Sequence, residues 1–402
     1  MQHLSWHRAV LLMLVFHIFL SFLGAQSLDL SGEWRFQLDP EDQGESAEWF
    51  DRILPDTIKL PGCLQAQGFG EEISIRTPWT GTIVDRSWFT ASKYEKYRRP
   101  DHVKIPFWLQ PDHYYKGAAW YQKSIRIPAA WKEKRILLRL ERPHWKSSVW
   151  IDRYSVGNRD SLSTPHVYEV TPYLSPGEHQ ITIRVDNRMI VDVGENAHSV
   201  TDHTQSNWNG IVGDIELSAG NRIWLEDIQV FPDAENRAAV VAYENGNRTG
   251  KPFEGLLRME VRSLRASALE IVHPFRCDTD GVTGTVEVRL APDAPLWDEF
   301  NPALHRLWVQ LETGGPTGEQ TVQDSRVVKF GIRNIATDGT EFLINRRRAF
   351  MRGTLECAIF PLTGYPPADV REWKRIIRQA RAFGLNHMPV SYTHLRAHET
   401  SL

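Results

Sequence analysis

From residue 28 to residue 219 the chain is written in short runs that alternate apolar with polar side chains, separated by turn residues. Trp34-Arg35-Phe36-Gln37-Leu38 is one such run, and Arg135-Ile136-Leu137-Leu138-Arg139-Leu140 and Ser148-Val149-Trp150-Ile151 are others. A strand sends successive side chains to opposite faces, so this alternation predicts half-buried strands. His179-Gln180-Ile181-Thr182-Ile183-Arg184-Val185 is the clearest example in the chain. No convincing amphipathic helix interrupts these runs, and strands at this spacing predict an antiparallel jelly-roll sandwich over residues 26–220. Residues 77–115 are aromatic and rich in turn residues. They predict a long inserted loop, either functional or capping an edge strand.

A second β segment occupies residues 221–333, with strands expected at 223–230, 238–243, 256–262, 285–290, 307–311 and 326–330. Its length fits one immunoglobulin-like sandwich, which takes about 100 residues. The period then changes over residues 334–388. Ala349-Phe350-Met351 reads as a short buried strand. Pro366 and Pro367 introduce Val370, Trp373, Ile376, Ile377, Ala380 and Phe383 at helical spacing, and Gly384 stands at the C′ position. Residues 385–388 begin another strand. Strand, helix, strand is the opening of a parallel sheet. A complete (β/α)8 barrel needs about 250 residues, whereas only about 55 separate Arg333 from Met388.

The N-terminus changes the picture of where the protein works. His7 and Arg8 precede an apolar run broken only by His17, and the small residues Gly24 and Ala25 follow. That order, with a run too short to span a bilayer, predicts a signal peptide over residues 1–25. The mature protein is then secreted or periplasmic, with no membrane span once the signal is removed. The 47 basic and 50 acidic residues are interspersed, for a formal net charge of -3, which argues against nucleic acid as a partner. Cys63, Cys277 and Cys357 lie far apart and read as small hydrophobes rather than a disulfide framework or metal pattern. The 15 tryptophans suit sugar stacking, but they suit sandwich cores better.

Several phrases, in order, resemble glycoside hydrolase family 2, the group of β-galactosidases, β-glucuronidases and β-mannosidases. Gly32-Glu33-Trp34-Arg35-Phe36, Leu60-Pro61-Gly62, Ala119-Trp120-Tyr121-Gln122-Lys123 and Val185-Asp186-Asn187-Arg188 are similar to landmarks of its sugar-binding jelly roll. Asn209-Gly210-Ile211-Val212-Gly213-Asp214-Ile215 is similar to a late landmark written G-G-I-x-R-D-V, from which Asn209 and Gly213 depart. Pro295-Leu296-Trp297-Asp298-Glu299-Phe300-Asn301-Pro302 resembles the second domain's L-W phrase, with His305 in place of its Tyr. Phe330-Gly331-Ile332-Arg333, Phe342-Leu343-Ile344-Asn345 and Phe350-Met351-Arg352-Gly353 resemble the end of that domain and the entry to the barrel.

The resemblance implies a retaining, exo-acting β-glycosidase acting on oligosaccharide or polysaccharide, without a cofactor, the terminal sugar being galactose first and glucuronic acid or mannose next. Retaining hydrolysis uses two carboxyl groups about 5 Å apart. The resemblance puts both on later barrel strands, so no catalytic residue is assigned and the chain itself is expected to be inactive. A jelly-roll loop reaches the sugar in the family. Its match, residues 202–208, offers Asp202 or Asn207 as hydroxyl acceptor and Trp208 as platform, or else is a solvated loop with Trp208 docked in the sandwich. Glu356 contacts a sugar hydroxyl, or is a loop carboxylate paired with Arg352. Of Asn386 and His387, alternation turns one toward the barrel interior and the other toward the helices.

After Met388 the resemblance stops, and residues 389–402 read as a non-native tail similar to translated sequencing-adapter DNA. His394, His398 and Glu399 in that tail do not form H-E-x-x-H and lack a third ligand, so no metal is expected. The rival reading is a non-catalytic carbohydrate-binding protein of two β-domains. Against it stands the segment after Arg333, which has no purpose in a lectin. A structural or adhesin module fits the sandwiches but not the ordered phrases.

Overall fold

The computed structural model describes residues 26–388, apart from 83–84, 101, 106–107, 109, 163, 193, 195–206, 264–268, 315–319 and 356–359. The expected signal peptide, the tail and the tail's histidines therefore lie outside the described residues, as do Asp202, Glu356 and Cys357. The chain is mainly β and divides into two compact units. One holds Ser27–Lys132, Ile136–Ser218 and the described part of Arg352–Leu402, and the other holds Glu133–Arg135 and Ala219–Met351.

The first unit is built on antiparallel sheets. A six-stranded sheet runs in the order Tyr154–Arg159, Lys146–Ile151, Gly177–Asp186, Ala118–Ile127, Gly32–Asp39, Asp56–Leu60. A four-stranded sheet orders Gln26–Asp29, Ile215–Gly220, Arg135–Leu140 and His166–Glu169. In Arg135–Leu140 the burial alternates as the sequence predicts, with Ile136, Leu138 and Leu140 inside. Gly177–Asp186 departs from it: from Ile181 onward both faces are buried, including Thr182, Arg184 and Asp186. The reason is a cover over the outer face of the sheet. The excursion after Asp39 brings Trp49, Phe50 and Leu54 onto Trp120 and Trp150. Phe50 and Trp150 stack at 5.5 Å, and the side-chain amide of Gln122 donates to the carbonyls of Trp49 and Arg52 at 2.9 and 2.8 Å. Most of the described tryptophans of this unit, among them Trp34, Trp88, Trp120 and Trp131, are core residues. The described residues of 77–115 carry only short helical turns and the two-residue strand His113–Tyr114.

The second unit pairs Ile223–Asp233, Ala238–Asn247 and Val282–Arg289 in one sheet, and Leu269–Cys277, Phe253–Arg262, His305–Thr313 and Thr321–Phe330 in the other. Leu225, Val241, Leu257, Met259, Val288 and Val309 fill the space between them. All six strands expected here are present. A seventh, Leu269–Cys277, escapes sequence reading because Pro274 falls within it. It lies at the sheet edge, where a missing N–H is tolerated. Cys63 and Cys277 are free and buried.

Residues 334–351 belong to this second unit and form a meander of Ile335–Asp338, Glu341–Ile344 and Arg347–Ala349. The expectation of a buried Ala349-Phe350-Met351 strand is corrected: the strand ends at Ala349, and Phe350 and Met351 are 64% and 45% exposed. The two-residue Asn345-Arg346 turn explains the change. Both residues take positive φ, 50° and 65°, which a tight hairpin requires. The expected helix is Val370–Ala382, with Asp369 accepting from the Glu372 N–H at its start and Gly384 at φ 75° beyond its end. None of its residues is buried. The strands on either side are reduced to one parallel bridge, Gly353 with His387. No described helix is long and apolar enough to cross a membrane, and no barrel is present among the described residues.

Candidate functional site

The site is assembled where three two-residue strands meet. Gly210–Ile211 pairs on one side with Gly62–Cys63 and on the other with Pro143–His144. Gly210 is required there: its φ is 147°, and a Cβ would stand 2.3 Å from the Gly62 carbonyl oxygen. Preceding it, Asn209 is fully buried. Its amide donates to the carbonyls of Gly117 and Val185 at 2.9 and 3.0 Å, and its oxygen accepts from the Tyr121 hydroxyl at 2.8 Å. Asn187, also fully buried, donates to the Tyr115 carbonyl at 2.8 Å and to the Asn207 side-chain oxygen at 3.2 Å. These amides fix the backbone that presents Trp208.

Trp208 is half-buried and lies against two rings, His144 at 4.6 Å and Tyr365 at 5.6 Å. The Trp208 carbonyl is 2.6 Å from His144 Nδ1. A carbonyl only accepts, so Nδ1 carries the proton and Nε2 presents a lone pair. Nε2 is buried with no hydrogen-bond partner among the described residues. Burial pulls the imidazole pKa down to about 4, against the Trp208 hydrogen bond, so the ring is neutral at ordinary pH. Tyr365 comes from a turn in which the Gly364 N–H bonds to the Phe360 carbonyl at 2.8 Å. Burial raises its phenol pKa, the nearby Cys63 adding and Arg142 opposing. The Cys63 thiol donates to the Thr363 carbonyl at 3.1 Å, and burial pushes its pKa up to about 11. Cys63 is thus an inert packing group here.

Of the residues singled out from sequence, the structure places Asn207 and Trp208 in this cluster. Asn207 is 6% exposed with its oxygen engaged by Asn187, and Trp208 offers a partly open ring. Asn386 and His387 form a separate exposed group: the Asn386 side chain accepts from the Arg352 N–H at 2.8 Å, and His387 lies on the bridge to Gly353. His144 and Tyr365 were not legible. Neither belongs to a recognisable phrase, and each reaches Trp208 only through pairings distant in sequence. The cluster supplies aromatic faces, a neutral imidazole and amides. Among the described residues no group of three or more His, Cys, Asp or Glu is disposed to hold a metal.

Residues 27–219, the unit that carries the site, match the family profile described as glycosyl hydrolases family 2, sugar binding domain. Residues 27–219 are thus a domain of glycosyl hydrolase family 2, and the chain's curated relatives are named as β-glucuronidases and β-galactosidases. It is 24% identical over 342 residues to a β-glucuronidase of Paenibacillus borealis, covering 81% of this chain and 48% of that protein. It is 22% identical over 337 residues to a β-galactosidase large subunit of Leuconostoc lactis, covering 81% and 49%. The chain therefore spans about half the length of these curated relatives. In fold it is similar to β-glucuronidase 2 of Bacteroides uniformis, with a TM-score of 0.66 at 19% identity over 92% of this chain and 40% of that one. It is also similar to the Ruminococcus gnavus β-glucuronidase, with a TM-score of 0.62 at 18% identity over 90% and 54%.

Proposed function

We propose that this chain is the front part of an exported, exo-acting retaining β-glycosidase, β-galactosidase-like, and that alone it does not turn over substrate. In this reading residues 26–220 are a jelly-roll sugar-binding domain, 221–333 an immunoglobulin-like sandwich, and 334–388 the start of a (β/α)8 barrel. The observation that carries it is the cluster of Trp208, His144 and Tyr365, where the domain matching the family meets the segment leading to helix Val370–Ala382. Trp208 is the platform for the terminal sugar, and Asp202 and Glu356 are the hydroxyl contacts that the sequence offers. Retaining hydrolysis needs a proton donor and a nucleophilic carboxylate about 5 Å apart, and the cluster brings together no such pair among the described residues.

The test has two arms. Genomic DNA read past the codon for Met388 should continue the frame into further strand–helix units. The intact product should then release nitrophenol from a β-galactoside, or from a β-glucuronide if the sugar is the one named for the Paenibacillus relative, while the 402-residue chain releases none. Turnover by the 402-residue chain that survives contaminant controls refutes the missing-site account. A natural stop after Leu402, with sugar binding intact, would make the chain a two-domain carbohydrate-binding protein instead. Export predicts a mature N-terminus at Gln26, read by N-terminal sequencing of protein recovered outside the cytoplasm.

A further inference from the structure

A second polar cleft lies on the outer face of the six-stranded sheet, lined by residues other than Trp208, His144 and Tyr365. Its volume is about 620 Å³, within the range of about 300–1,000 Å³ usual for small-molecule sites. Three adjacent strands build it. Lys146, Ser148 and Trp150 come from the middle one, Ser155 and Asn158 from the edge, and Arg184 and Asp186 from the inner neighbour. A bulge between Val149 and Trp150, opposite Gly157, widens the floor. No Cβ at Gly157 would meet an atom within 4 Å, so the space above it is open.

One part of the lining is spent on itself. Arg184 bonds to Asp186 at 2.9 Å and to Asp42, and Arg188 bridges the same two carboxylates. The rest is unspent. Arg184 is 7% exposed, yet its Nε–H has no partner among the described residues. The side chains of Lys146, Ser148, Ser155 and Asn158 make no hydrogen bond among the described residues, although all face the cleft. Lys146, Arg184 and Arg188 balance Asp42, Glu45 and Asp186, three charges against three, so the cleft is formally neutral.

We propose that this cleft binds a neutral oligosaccharide. Sugar hydroxyls both donate and accept, which matches donor-only Lys146 and Arg184 Nε beside hydroxyl and amide groups that do either. With Asp42 and Asp186 already held by Arg184 and Arg188, the cleft has no net positive charge to draw an acidic glycan. An extended peptide would seek a free strand edge or apolar pockets, and Trp150 is the one apolar wall.

Titration calorimetry of the whole chain against cellohexaose, mannohexaose and β-1,4-galactohexaose, with trigalacturonate as the acidic comparator, tests this. Binding of at least one neutral probe is expected. Ser155→Trp, which fills the cleft from an exposed edge position, should abolish it, and Lys146→Ala should weaken it about tenfold. Unchanged melting temperatures would show that both variants fold. Absence of binding by every neutral probe, binding indifferent to both substitutions, or binding confined to trigalacturonate each overturns the proposal.

Discussion

Asn209 stands where the family's phrase has glycine, and the structure shows what its side chain does: three hydrogen bonds inside a fully buried pocket. Removing it leaves the Tyr121 hydroxyl and the carbonyls of Gly117 and Val185 unpaired in the interior. Asn209→Gly should therefore lower stability by about 2–4 kcal/mol, read as a lower urea midpoint with an unchanged slope. An unchanged midpoint would mean that water replaces the amide. His144 makes a prediction of the opposite kind, about protons. Its pKa falls from the ordinary 6.5 to about 4 on folding because burial disfavours the imidazolium. The unfolded chain then binds the proton more readily. Stability is unaffected above pH 6.5, declines as the pH drops toward 4, and levels off below it. His166 and His305, also shifted down chiefly by burial, act in the same direction. His144→Gln, which keeps a donor for the Trp208 carbonyl, should flatten the decline between pH 6.5 and 4. Parallel pH profiles for the two proteins would show that His144 is not a source of it.

Helix Val370–Ala382 illustrates how an element can be locally specified yet uncovered. Its cap at Asp369, its preceding prolines and its terminating Gly384 all agree, and its apolar stripe is present, but Val370, Ile377 and Phe383 are 67%, 46% and 82% exposed. A stripe of this kind associates with whatever apolar surface is available. The 402-residue chain should self-associate with rising concentration, and Ile377→Glu should reduce this in sedimentation experiments without lowering the melting temperature. If association is indifferent to Ile377→Glu, the stripe is not its cause. The element was readable because capping chemistry and helical period are local signals. Strand Leu269–Cys277 was not, since Pro274 vetoes a strand unless its edge position is already known. Arg346 in a positive-φ turn hid the Glu341–Ile344 and Arg347–Ala349 hairpin for a similar reason: glycine is the usual signal, and here it is absent. At the site, Trp208 was singled out through the family resemblance and the polar stretch that precedes it, with a docked core Trp as the alternative. His144 and Tyr365 were not, because three two-residue strands carry no period to read.

On the scale of the whole molecule, a proposal and an observation pull against each other. The export proposed above would put the chain in an oxidising compartment, where small domains commonly rely on disulfides. Yet Cys63 and Cys277 are unbonded, buried and assigned to different compact units. Stability must then come from the cores: Leu225, Leu257, Met259 and Val309 between the sheets of one unit, and Trp34, Phe36, Trp120 and Tyr121 in the other. Units of these sizes bury enough apolar surface to fold without cross-links. Melting curves with and without dithiothreitol should accordingly superimpose. The Cys63 thiol, held up at about 11 by burial, should resist iodoacetamide at neutral pH until the chain is unfolded. A reductant-dependent loss of melting temperature would show that a disulfide, rather than these cores, holds part of the fold together.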